Sequence, residues 1–67
     1  MHTMIERLIE CRKAAGLSQT ELAEKLGLSR QTISKWETGS VIPAAENLSA
    51  LAKLYSVSLD WLVNGVD

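Results

Sequence analysis

Start and stop signals for helices follow one another so closely along this chain that only short helices fit between them. Thr3 with Glu6, and again Ser18 with Glu21, have the S/T-x-x-E spacing in which each side chain caps the other residue's backbone N–H. Ser29 and Ser58 stand where further caps are needed, and Gly16, Gly27, Gly39 and the pair Asn64-Gly65 close the segments so opened. Between these marks the apolar residues recur at helical spacing. Ile5, Leu8, Ile9 and Ala15 define a first helix from Met4 to about Ala15, and Leu22, Ala23 and Leu26 a second from Gln19. Ile33 and Trp36 mark a third over Arg30 to Glu37. Leu48, Leu51, Ala52 and Tyr55 mark a fourth, with Pro43 suited to its first turn and Glu46 near its positive end. Ser58 and Asp60 open a fifth through Trp61 and Leu62. The β-branched residues are scattered and nothing alternates with a period of two. The expectation is an all-α fold, a compact bundle of five short helices making one domain over residues 1–67.

With 67 residues, a chain buries only about 60% of the surface it exposes when unfolded, so a second domain is not expected. Cys11 is alone and so is His2, which excludes an internal disulfide and the four-ligand set of a structural zinc site. No metal, cofactor or catalytic residue is expected. There is no run of about 18 apolar residues to cross a bilayer. Met1-His2-Thr3-Met4 shows no secretory signal, and a cytoplasmic location follows as the default. The net charge is -1, unlike the strongly basic balance of many nucleic-acid binders. Its distribution is uneven: residues 12 to 39 carry five cations against three carboxylates, and both ends are acidic.

The stretch Gln19 to Thr38, QTELAEKLGLSRQTISKWET, has the spacing of two helices crossing steeply through a tight turn, a DNA-binding helix-turn-helix. Ala23 is the small residue where the backbones meet. Gly27 supplies the positive φ the turn needs without the steric cost of a β-carbon. Leu22, Leu26, Leu28, Ile33 and Trp36 point inward. Helical geometry then puts Arg30, Gln31, Ser34, Lys35 and Thr38 on the opposite face, with Thr32 in the same turn, and no carboxylate is among them. Arg or Lys can donate to O6 and N7 of guanine, and Gln can pair with adenine N6 and N7. The N–H groups opening helices 2 and 3 favour a phosphate, with Gln19 and Ser29 as side-chain donors beside them.

Each feature also has a plainer reading. A polar face opposite an apolar stripe is usually a solvated face. Trp36 and Trp61 read as core, Tyr55 as a ring packed inward with its hydroxyl wet, Cys11 as a small buried hydrophobe and His2 as part of a frayed terminus.

The chain resembles the lambdoid phage repressor and Cro family of helix-turn-helix regulators, also called the xenobiotic-response-element type. The resemblance rests on RKAAGLSQTELA before the turn, ISKWETG after it and VSLDWL near the end. It implies that Gln19 contacts phosphate from the start of helix 2, that Arg30, Gln31 and Lys35 read the major groove, and that Ser29, Ser34 and Thr38 assist. It implies that Arg12 pairs with Glu37 to lock the recognition helix to the scaffold; without it, these two are independent surface charges. Residues 39–45 would run along the DNA backbone, although Ser40, Val41 and Ile42 bring no cation. Leu59, Leu62, Val63 and Val66 are many apolar groups for a short end segment. In relatives subunits meet at that end, so Leu62, Val63 and Val66 are expected dimer contacts; a two-fold dimer sets two recognition helices about 34 Å apart.

The leading expectation is a regulator, in the manner of a repressor, that binds a palindromic operator in double-stranded DNA as a homodimer. The alternative is an antitoxin-like or bridging module that uses the same fold mainly to bind a protein partner. An enzyme is the least favoured class, because no nucleophile, base or metal-ligand cluster is legible. No peptidase domain follows Asp67, so self-cleavage is not expected.

Overall fold

The computed structural model describes residues 3–66. Its helices are α1 (Met4–Ala14), α2 (Gln19–Leu26), α3 (Arg30–Thr38), α4 (Ala45–Tyr55) and α5 (Leu59–Asn64), with no strand among the described residues. His2 lies outside the described residues.

The local signals act where their spacing places them. Glu6 N–H donates to Thr3 Oγ1 at 3.2 Å while Thr3 N–H donates to Glu6 Oε1 at 3.0 Å. The Ser18–Glu21 pair repeats this at 3.0 and 2.9 Å. Each box satisfies two of the N–H groups that a helix start leaves without a partner. Ser29 accepts from Thr32 N–H at 3.2 Å and Ser58 from Trp61 N–H at 3.0 Å. Gly27 takes φ 69° and lets Leu28 N–H return to the Ala23 carbonyl at 2.9 Å, which turns the chain sharply from α2 into α3.

Three boundaries differ from expectation. α1 stops one residue early, with Ala15 as an exposed cap rather than an inward residue. α3 runs one residue further, to Thr38. Pro43 is outside α4: it is buried ahead of Ala44, the cap residue, which makes no side-chain cap bond. Ser56 ends α4 at φ 55°, a left-handed stop made without glycine.

α3 packs against both α2 and α1, and α5 against α1 and α4. The core is Leu8, Leu22, Ala23, Ile33, Trp36, Leu51, Ala52 and Leu62, with Trp61, Cys11 and the Tyr55 ring half-buried around it. Leu62 is 0% exposed, so it fills the bundle and is not available as a dimer contact. Tyr55 also departs from expectation, because its hydroxyl is buried and makes no hydrogen bond. Arg7, 7% exposed, donates from Nε to the Leu62 carbonyl and from Nη2 to the Val63 carbonyl, both at 3.0 Å. It thereby ties the end of α5 to α1, where that helix's last carbonyls need donors.

Candidate nucleic-acid interface

α3 presents one face to solvent because the other is committed to the core. Ile33 is 0% and Trp36 3% exposed, and this fixes the helix about its own axis. Arg30, Gln31, Lys35 and Thr38 are consequently exposed, while Thr32 and Ser34 are half-buried at the margins. Gln31 and Lys35 are one turn apart on the same face. The first turn of α3 holds no acid, so nothing there opposes an anion drawn to its positive end. Ala23, 2% exposed, is buried on α2 together with Leu22.

Three of the expected hydroxyl groups are already engaged, those of Ser29, Thr32 and Thr38. Ser29 Oγ caps α3 and shares a hydrogen with Thr32 Oγ1 at 2.9 Å. Thr38 Oγ1 donates to the Lys35 carbonyl at 3.2 Å and lies 3.1 Å from Ser40 Oγ, which holds the exit from the helix.

Behind this face sits the Arg12–Glu37 pair. Arg12 Nε donates to Glu37 Oε2 at 2.7 Å and Nη2 to Oε1 at 2.9 Å, a two-pronged contact with side chains only 11% and 8% exposed. Arg12 Nη1 donates to the Leu17 carbonyl at 2.9 Å, so the guanidinium is anchored to the α1–α2 connection as well. Burial alone would raise the Glu37 carboxyl. The hydrogen bonds from Arg12 and Gln19 outweigh it and hold the group below the usual carboxylate range. The one acid of α3 is thus neutralised by Arg12 and Gln19.

Gln19 and Arg30, which open α2 and α3, are brought together: Arg30 Nη1 donates to Gln19 Oε1 at 3.3 Å, and Gln19 Nε2 donates to Glu37 Oε1 at 3.0 Å. Sequence reading had no signal for this link, because Gln19 and Glu37 are 18 residues apart and on different helices. At the other end of the bundle Val66 is 58% and Leu59 44% exposed, and Val63 is half-buried. Val41 and Ile42, after α3, are 46% and 74% exposed.

A helix-turn-helix family profile matches residues 8–62 of the chain. The HTH-type transcriptional activator BcrR of Enterococcus faecalis is 43% identical over 60 residues, which are 90% of this chain and 29% of that protein. The repressor protein C2 of Salmonella phage P22 is 39% identical over 62 residues, 92% of this chain and 29% of that protein. The chain therefore spans well under two thirds of the length of these relatives. The crystal structure of the P22 c2 repressor in complex with a synthetic operator superposes with a TM-score of 0.87 at 36% identity, covering 98% of this chain and all of that one.

Proposed function

This chain belongs to the helix-turn-helix family, and from that premise we propose that it regulates transcription by binding a specific sequence of double-stranded DNA through the exposed face of α3. The observation that carries the reading is the composition of that face, cations and amides without a carboxylate, held in one orientation by Ile33 and Trp36. Arg30, Gln31 and Lys35 are the base-reading residues. Thr32, Ser34 and Thr38 line the same face, and Gln19 and Ser29 flank the helix starts, where phosphates are favoured. Nothing in this role requires catalysis. The names of its relatives include an activator and repressors, and the P22 c2 repressor's complex with a synthetic operator supports repression by occupying an operator.

We extend the reading to a homodimer on a palindromic site, with Val63 and Val66 in the interface and Leu59, exposed beside them, in place of the buried Leu62. A second reading, docking of a protein partner, is favoured by the uncharged loop after α3. Val41 and Ile42 border an apolar groove of about 300 Å³ with Met4, Ile5, Trp36 and Pro43.

Selection of sites from a random duplex pool tests the main reading, followed by affinity measured against salt concentration. Phosphate neutralisation requires log K to fall linearly with log salt. An enriched inverted repeat is the expected result. Arg30→Ala and Lys35→Ala should each weaken the selected site by about 1–3 kcal/mol with little change in melting temperature. If both variants bind it as the parent does, this face is not the reading surface.

A further inference from the structure

α5 is a six-residue helix, too short to hold its shape by its own hydrogen bonds. Of its described residues only Leu62 is buried, and its last turn carries no basic residue. A helix pinned at a single core position can still pivot about that point. The cation that its negative end calls for comes instead from α1. Arg7, 7% exposed, donates from Nε to the Leu62 carbonyl and from Nη2 to the Val63 carbonyl, both at 3.0 Å. Gly65 makes the room for it, since a Cβ there would stand 2.9 Å from Arg7 Nη1. A planar guanidinium that grips two successive carbonyls fixes direction as well as distance, and so it removes the pivot. Five residues further along α1, Arg12 grips Glu37 of α3 in the same two-pronged way. One helix therefore clamps both the short helix that carries Leu59 and Val63 and the helix that carries Gln31 and Lys35. Arg7, Val63 and Gly65 lie outside residues 8–62, the span that the family profile matches, so this clamp is not part of what places the chain in its family.

We infer that Arg7 is a positioning residue for operator spacing. By holding the end of α5 to α1, it fixes the angle between the dimer face and the exposed face of α3, and with it the separation of half-sites that a dimer accepts. The inference rests on the homodimer reading above. On B-DNA two half-sites one turn apart are separated by about 34 Å, and one base pair more or less moves the second by about 3.4 Å and turns it by about 35°. A dimer with a clamped α5 cannot follow that change, whereas one whose α5 pivots can.

The experiment uses the 67-residue chain with three kinds of duplex: the inverted repeat that the parent selects, the same repeat with one base pair added or removed between its halves, and one half alone. Affinities are measured for the parent, Arg7→Met and Gly65→Ala. Gly65→Ala disturbs the same contact from its other side, by setting a Cβ against Arg7 Nη1, and it carries the test if Arg7→Met fails to fold. The parent should prefer its own spacing. Each folded variant should lose about tenfold of that preference, the scale of one hydrogen bond to a charged group, while its affinity for the half-site alone matches the parent's. A merely structural role would weaken half-site and full site together and leave the spacing preference as it was. If the preference survives in either folded variant, or falls only in step with half-site affinity, the inference is overturned while the DNA-binding reading stands. A parent that sediments as a monomer on its selected duplex overturns the homodimer reading, and the inference with it.

Discussion

Tyr55 is the residue whose environment most contradicts its chemistry. Its hydroxyl is buried without a hydrogen bond, against the ordinary rule that a buried polar group finds a partner. Burial, with the nearby Cys11 and Glu37 adding to it, pushes its pKa up to about 12. The folded value thus lies above the ordinary 10.0, so the neutral phenol is what the fold favours. The associated stability is fully present below pH 10.0 and is lost as pH rises towards about 12, because the unfolded chain ionises first. Tyr55 is the only tyrosine, so an ultraviolet titration reads it alone. A phenolate appearing with the ordinary midpoint would contradict the burial. Tyr55→Phe removes a polar atom that contributes no bond, and it should leave the melting temperature unchanged or raise it; leaving such an atom buried costs about 1–3 kcal/mol. From the sequence the hydroxyl reads as wet, since helical spacing says which way a ring points but not what closes over its end.

Among the elements, the caps were the most legible feature, because a capping bond joins residues three apart and needs no knowledge of the rest of the fold. Ser18, Ser29 and Ser58 all cap the helices they precede. The stop of α4 was not legible, since Ser56 carries none of the left-handed preference that makes Gly27 an obvious terminator. The two stops give opposite predictions. At Gly27 an added Cβ meets nothing within 4 Å, so Gly27→Ala carries only the backbone cost of a left-handed residue, about 1–2 kcal/mol. Ser56→Gly relieves the same kind of strain and should raise the melting temperature. Thermal melts of the two variants decide it, and an unchanged or stabilised Gly27→Ala would mean that the α2–α3 turn relaxes into another conformation. Pro43 shows the limit of position-based reasoning. A proline near a helix start suits the first turn, but here it is buried ahead of the cap, packed where the loop after α3 closes on the bundle.

At the scale of the whole molecule, Arg12 and Glu37 join α1 to α3 and so join the scaffold to the helix that carries the exposed polar face. Removing one partner of a pair so little exposed strands the other charge, at about 3–5 kcal/mol. Against a total stability of roughly 5–15 kcal/mol for a domain, Glu37→Ala should leave the chain largely unfolded or far less stable. Arg12→Met combined with Glu37→Leu should recover much of the loss, because two apolar groups leave no charge stranded. A Glu37→Ala variant that melts within a few degrees of the parent would show the pair to be a solvent-screened contact. The acid limb follows from the same pair. The folded Glu37 carboxyl lies below its ordinary value of 4.5, so its contribution is fully present above pH 4.5 and is lost as pH falls through the lower folded value. Melting temperature measured against pH should decline in that window.

Sequence alone determined where α1, α2, α3 and α5 begin, how α2 turns into α3 and what chemistry the outer face of α3 carries. All three depend on contacts within a turn or on the helical period. The tertiary structure decided which apolar groups of the last segment remain outside: Leu62 goes into the core, and Leu59 and Val66 do not. It also decided that Arg7 closes α5 from 55 residues away and that Gln19 faces Glu37 with its nitrogen. Burial and cross-helix pairing are properties of how elements pack, and residues far apart in the chain meet only once that packing has formed.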